Sequence, residues 1–187
     1  MLFEAGFESE IADWQWIREE PTGWSIVGEG FELQSLNGTL WEANNNTFNI
    51  ALRPPPAGTF TLEIEVSGAV ASPAEQGGLL WYASDDDYVK LVREQVGREK
   101  FVVLVTETAG VPVVDYVSLT GADEARLRME LLADGLRASY RLSPEDPWTE
   151  LAETTRELGG GERLGLFSQG ADGARWTRFE DWTLSTP

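Results

Sequence analysis

Tyr88, Lys90 and Glu94 stand at even spacing in the run Asp87-Tyr-Val-Lys-Leu-Val-Arg-Glu94, and Trp81 lies in the preceding run Gly77-Gly-Leu-Leu-Trp-Tyr82. Successive side chains of an extended chain point to opposite faces, so Tyr88, Lys90, Val92 and Glu94 share one face and Val89, Leu91 and Arg93 the other. A ring beside an ammonium and a carboxylate suits a sugar: the flat ring stacks on the C–H face while the charged heads hydrogen-bond to hydroxyls. The same residues have a plainer use, with Trp81 filling a core and Lys90 pairing with Glu94 on a sheet surface. Trp81, Tyr88, Lys90, Arg93 and Glu94 are therefore the candidate ligand-binding residues. Alternation forbids all five from lining one surface.

A second chemistry rests on paired carboxylates. Glu63 and Glu65 point to one face of the run Phe60–Val66, about 7 Å apart by strand geometry. That matches the ~6.5–9.5 Å of an inverting glycosidase, although any alternating acidic strand gives the same spacing. The run Asp85-Asp-Asp87 supplies hard oxygen ligands of the kind Ca2+ takes. Consecutive residues of a tight turn cannot all face one ion, so a solvated turn is the expectation there. The chain has no His and no Cys, which removes disulfides, thiolate nucleophiles, imidazole bases and the usual zinc ligands together.

The elements that must position these residues read as strands. Phe60, Leu62, Ile64 and Val66 alternate with Thr61, Glu63, Glu65 and Ser67, the pattern of a half-buried strand. Leu127, Met129 and Leu131 repeat it, and after Ala133-Asp-Gly135 so do Leu136, Ala138, Tyr140 and Leu142; Asp-Gly between alternating runs predicts a hairpin. Further strands are expected at 24–28, 31–36, 39–43, 47–53, 78–84, 88–95, 101–107, 112–118, 163–168 and 174–185. The stretch 149–158 is compatible with a short surface helix. About a dozen short strands and almost no helix mean an all-β sandwich or barrel, read as one domain over residues 1–187.

Composition narrows the partners. The chain has 187 residues and a formal charge of −18, from 32 acidic against 14 basic side chains. Such a surface repels phosphate backbones and anionic membranes, and is indifferent to neutral glycans. Met1-Leu-Phe-Glu-Ala-Gly-Phe-Glu8 has neither a basic start nor an apolar run, so a soluble, cytoplasmic protein is the expectation. Among the tryptophans, Trp14 and Trp16 share a face if extended, with Arg18 placed to cover one of them. Trp148, in Pro144-Glu-Asp-Pro-Trp148, is the aromatic expected to be partly exposed.

Several of these runs resemble a known family. Trp14-Gln-Trp16-Ile-Arg18, Trp24, Arg53-Pro54 and Phe60-Thr-Leu-Glu-Ile-Glu65 follow the opening of laminin-G/concanavalin A-like sandwiches. Gly78-Leu79, Asp85–Asp87, Tyr88, Lys90, Glu94, Gly97 and Phe101–Val105, then the closing Phe179-Glu-Asp-Trp182-Thr-Leu184, resemble the C-terminal concanavalin A-like domain of family 43 glycoside hydrolases of the β-xylosidase type. They are also similar to a related bacterial domain family known as "regulation of enolase". The resemblance implies a jelly-roll sandwich of two curved antiparallel sheets, with any ligand on the concave face or rim. It also implies that the catalytic carboxylates of family 43 sit in a separate propeller. By the same resemblance a structural Ca2+ would lie between the first and last strands, on Glu4, Glu8 and Asp181. Laminarinase-type sandwiches carry Glu-x-Asp-x-x-Glu on one strand, whereas Glu63-Ile-Glu65-Val-Ser67 has Glu for Asp and lacks the third acid.

The leading expectation is a non-catalytic carbohydrate-binding or accessory domain whose ligand is an oligo- or polysaccharide and which needs no other cofactor. The alternatives are a glycoside hydrolase acting through Glu63 and Glu65, and a protein-interaction or oligomerisation module.

Overall fold

The computed structural model describes residues 2–3, 7, 11–68, 70–118, 122–155 and 161–187. Among the described residues there are seventeen strands: β1 (Leu2–Phe3), β2 (Gln15–Ile17), β3 (Trp24–Val27), β4 (Gly30–Gln34), β5 (Leu40–Trp41), β6 (Asn44–Asn45), β7 (Ile50–Arg53), β8 (Phe60–Gly68), β9 (Gln76–Ser84), β10 (Asp87–Val96), β11 (Glu99–Thr108), β12 (Val111–Ser118), β13 (Ala125–Leu131), β14 (Leu136–Arg141), β15 (Thr149–Thr154), β16 (Arg163–Gln169) and β17 (Trp176–Ser185). They form two large antiparallel sheets, a concanavalin A-like sandwich. The first runs β15-β14-β13-β8-β17-β4-β3, with β1 also on β17, and the second runs β12-β11-β10-β9-β16-β7-β2. The short hairpin β5-β6 stands apart from both.

The core follows from the period-two pattern. Phe60, Leu62, Ile64 and Val66 of β8 are buried while Thr61, Glu63 and Glu65 between them are not. Across the sandwich they meet Leu79, Trp81, Val89, Leu91, Val102 and Leu104 of the second sheet. Aromatic rings close one end of this core: Phe31 is fully buried, stacked on Phe7 at 5.4 Å and tilted against Trp16 and Phe179 at 6.2 Å. In β17 the ladder slips between Glu180 and Thr183, where Asp181 has φ 51°. A bulge of this kind re-aims side chains, and here it leaves Trp182 buried against Trp14 at 5.4 Å.

Two expectations are corrected. Residues 149–154 form strand β15, not the start of a helix: they pair with β14 from Leu136↔Thr154 to Tyr140↔Thr149. The pairing available at the open edge of β14 outweighs a weak local helix preference, and Thr149 and Thr154 suit a pleated strand. The remainder of that stretch, 156–160, lies outside the described residues. The runs expected at 39–43 and 47–53 are shorter, giving β5-β6 and β7 around a turn at Glu42, whose φ is 51°. No helix among the described residues is long and apolar enough to cross a membrane.

Because Phe31 touches rings from several elements at once, Phe31→Ala is expected to cost about 3–5 kcal/mol. Val113→Thr, at a side chain 63 % exposed, should stay within about 0.5 kcal/mol of the parent. Urea denaturation of the two variants measures the difference.

Candidate functional site: the outer face of the second sheet

Strand alternation divides the candidate residues. Trp81 and Arg93 point between the sheets, and Tyr88, Lys90 and Glu94 point outward from the second one. Trp81 packs against Phe60 at 5.6 Å in the main core. Arg93 is 1 % exposed and donates from Nη1 to the Val66 carbonyl at 3.2 Å. Its Nε and Nη2 find no partner among the described residues. Burial lowers the Arg93 pKa to about 10, with Asp123 and Glu124 opposing the shift.

The outward side chains form a second apolar cluster of Leu40, Ile50, Leu52, Leu80, Tyr82, Tyr88, Val92, Val103, Val105 and Phe167. It exists because the β5-β6 hairpin covers this part of the sheet. Gly165 allows the close packing: a Cβ there would come within 2.4 Å of Leu52 Cδ2. The hairpin is tied down by its Leu40 carbonyl, which accepts Lys90 Nζ at 2.8 Å and lies 2.8 Å from the Tyr88 hydroxyl. That hydroxyl also stands 2.6 Å from Glu107 Oε2, which in turn accepts the Glu42 N–H at 3.1 Å. Lys90, 1 % exposed, has its ammonium 5.5 Å from the Trp41 ring centre, 5.4 Å from Tyr88 and 5.9 Å from Phe167. Its hydrogen bond goes to the hairpin rather than to Glu94.

Burial drives the electrostatics of this cluster. It lowers the Lys90 pKa to about 8 against the pull of Glu94 and Glu107. It raises Glu94, with Lys90 opposing, and it raises the Tyr88 phenol, where the hydrogen bond to Glu107 adds to the effect.

Beside the hairpin the face opens into a cleft of about 390 Å3. Trp41, Phe101 and Tyr116 supply rings, Val103, Val105 and Val114 an apolar floor, and Glu94 the carboxylate. Phe101 and Tyr116 meet edge to face at 5.6 Å, and Tyr116 is 67 % exposed. Of the predicted residues, the cleft brings in Glu94, with Tyr88 and Lys90 behind its wall. Sequence reasoning weighed Trp41 only as one tryptophan among several that could pack in a core or serve as a ligand platform, and it missed Phe101 and Tyr116 as site residues. Register supplies the signal: Phe101 lies opposite Glu94, Tyr116 opposite Val103 and Val114 opposite Val105.

The acidic turn serves as a set of staples. Asp85 takes two hydrogen bonds from Arg18, at 2.7 and 2.9 Å, and one from Tyr82 at 2.8 Å. Against the partial burial that would raise it, these bonds hold the Asp85 pKa below the usual carboxylate range. Asp86 accepts from Asn45 of the hairpin at 2.7 Å and Asp87 from the Ala109 N–H at 3.2 Å. Arg18 is thereby committed to Asp85, and Trp16 stacks instead on Trp24 at 5.0 Å.

Glu63 and Glu65 lie on the outer face of the first sheet, opposite Arg128 and Arg126. Arg128 Nε donates to Glu63 at 2.8 Å, and Arg126 stands 3.9 Å from Glu65. Burial raises the Glu65 pKa, with Arg126 opposing. Trp148 is partly exposed and held between Arg128, 3.9 Å from its ring centre, and Arg141 at 4.6 Å. Of the calcium set, Glu4 and Glu8 lie outside the described residues. Asp181 accepts from Arg126 at 3.0 Å, and no group of three or more acidic side chains among the described residues is placed to hold a metal.

This architecture defines the class: a concanavalin A-like β-sandwich with an aromatic cleft on one outer face. The chain belongs to the family of β-xylosidase C-terminal concanavalin A-like domains, whose model matches residues 7–182. No curated protein matches it. Solved structures share the fold at low identity. A functionally unknown protein from Saccharomyces cerevisiae superposes with a TM-score of 0.78 at 16 % identity, over 95 % of this chain and 98 % of its own. The GH43 protein BlXynB of Bacillus licheniformis gives 0.78 at 17 % identity over 91 % of this chain and 36 % of its own, so the chain spans about a third of that protein's length. The carbohydrate-binding module CBM66 of Bacillus subtilis gives 0.58 at 13 % identity, over 93 % and 96 % of the two chains.

Lys90 makes stability depend on pH in a defined direction. With a folded pKa of about 8 against the ordinary 10.5, the unfolded chain holds a proton across that window that the folded chain has released. Stability contributed by this group therefore rises with pH from 8 towards 10.5. Above the ordinary tyrosine value of 10.0 the raised phenols of Tyr82 and Tyr88 act the other way. Urea denaturation between pH 8 and 10 should show the rise, and Lys90→Met should remove it, an effect on the order of 1–3 kcal/mol.

Proposed function

We propose that the protein is a non-catalytic carbohydrate-binding accessory domain whose ligand lies in the Trp41–Phe101–Tyr116 cleft. The observation that carries this reading is the cleft's makeup: exposed ring surface, an apolar floor and one carboxylate. Sugar C–H faces stack on such rings, and Glu94 is an acceptor for hydroxyl donors. Membership of a family of β-xylosidase C-terminal domains and the shared fold of a carbohydrate-binding module support it. The excess of acidic charge favours a neutral oligosaccharide, and xylo-oligosaccharides are the first to try. Trp81 and Arg93 then serve the fold, while Tyr88 and Lys90 hold the hairpin that forms the cleft wall.

A second reading, docking of another protein, is favoured by the exposure of Val111, Val113 and Tyr116, at 65, 63 and 67 %, along the edge strand β12. Hydrolysis through Glu63 and Glu65 has less support, because each carboxylate already faces an arginine.

Titration calorimetry with neutral oligosaccharides, xylo-oligosaccharides first, separates the readings. Saturable binding should weaken at least roughly tenfold in Tyr116→Ala, as expected for loss of an aromatic anchor. Glu63→Gln should leave it unchanged. An absence of binding across a broad glycan panel defeats the carbohydrate reading, and glycan turnover lost in Glu63→Gln would establish the hydrolase instead.

A further inference from the structure

The outer face of the second sheet carries a second hollow, at the opposite end from the Tyr116 cleft. Strands β2, β7, β9 and β16 supply it, whereas β10, β11 and β12 supply most of the first. It holds about 230 Å3, and Gln15, Trp16, Ile17, Leu52, Tyr82 and Arg163 line it. That is below the ~300–1,000 Å3 of drug-sized pockets, so it has room for a single ring. Ile17, Leu52 and Tyr82 belong to the apolar cluster of this face, while Gln15 is exposed.

Arg163 is the unusual member. Arg18, Arg126, Arg128, Arg137, Arg175 and Arg178 each pair with a carboxylate. Arg163 is half-buried, and among the described residues it makes no hydrogen bond or ion pair. With 32 acidic side chains against 14 basic ones, a partly desolvated guanidinium left without an acid at the wall of a hollow is suited to a charge that comes from outside the chain. Its planar fork matches a carboxylate through two parallel hydrogen bonds.

We propose that this hollow binds a carboxylate-bearing monosaccharide, a uronate. Arg163 takes the carboxylate, the Gln15 amide reaches a ring hydroxyl, and the apolar wall of Ile17, Leu52 and Tyr82 receives the C–H face. A monoanion fits better than a phosphate, because one guanidinium balances one charge and the remaining field of the chain is repulsive. The proposal extends the carbohydrate-binding reading to a second position. Arg163 on β16 and Val105 on β11 are separated by three strand spacings, about 14 Å, so the two positions take different sugar rings.

The test uses the full chain with sodium glucuronate, glucose and sodium acetate in calorimetric titrations, beside the neutral oligosaccharides. Glucuronate should bind saturably and at least roughly tenfold more tightly than glucose or acetate. Arg163→Gln should abolish that preference and Gln15→Ala should weaken it several-fold, with circular dichroism confirming that both variants fold. Tyr116→Ala should leave glucuronate binding intact while losing the neutral oligosaccharide. If neutral oligosaccharides fail but glucuronate still binds through Arg163, the first cleft is refuted as a glycan site and the second stands. The proposal is overturned if the parent chain shows no saturable glucuronate binding, or if acetate binds equally well. It is equally overturned if Arg163→Gln binds glucuronate unchanged, or if Tyr116→Ala loses both ligands.

Discussion

The Leu40 carbonyl is the point on which the outer face of the second sheet depends. Lys90 donates to it, and the Tyr88 hydroxyl stands at the same distance, so an otherwise detached hairpin is fastened over the sheet by two buried side chains. Burying an ammonium is costly unless its donors are satisfied and its charge is answered. Here the carbonyl, three aromatic rings, and the nearby Glu94 and Glu107 carboxylates do so jointly. Once the hairpin is down, Trp41 is placed as a cleft wall, and Asn45 can reach Asp86 of the acidic turn.

The two sheets use their outer faces differently. The first presents cross-strand ion pairs: Glu63 with Arg128, Glu65 with Arg126, Glu32 with Arg178. Opposite charges facing each other across neighbouring strands lend modest stability and keep that face wet. The second is apolar at its centre and covered by the hairpin, and it opens at both ends. An antiparallel sheet normally has one buried and one solvated face. In the second sheet the outer face is largely buried too, which is why β9 reads as a near-continuous apolar run and why β10 is buried without a break from Tyr88 to Arg93, Lys90 and Arg93 included.

That double burial explains what was legible in the chain. The strands of β8, β13 and β14 alternate strictly, and their boundaries and hairpin turn were readable. The face assignment of Tyr88, Lys90 and Glu94 was equally readable, since it needs only the pleat. What could not be read was the depth of each side chain. Lys90 is a charged residue that ends up 1 % exposed, while Tyr116, an aromatic in an apolar run, ends up 67 % exposed. Local pattern gives the side of the sheet but not what lies above it. The strand at 149–154 was missed for a related reason, because the open edge of β14 that recruits it is a tertiary feature.

The sequence by itself determined an all-β fold of short antiparallel strands and the exclusion of imidazole and thiol chemistry, because alternation and residue inventory are local properties; the sandwich came from the family resemblance of its motifs. Tertiary structure alone decided that Trp81 and Arg93 face the core, that Trp41, Phe101 and Tyr116 converge on Glu94, and that Arg163 is left without an acidic partner among the described residues. Each of these depends on strand register and on where a covering hairpin lands. Those are set by contacts between segments distant in the chain, such as Leu40 with Lys90 and Arg18 with Asp85, which no window of neighbouring residues contains.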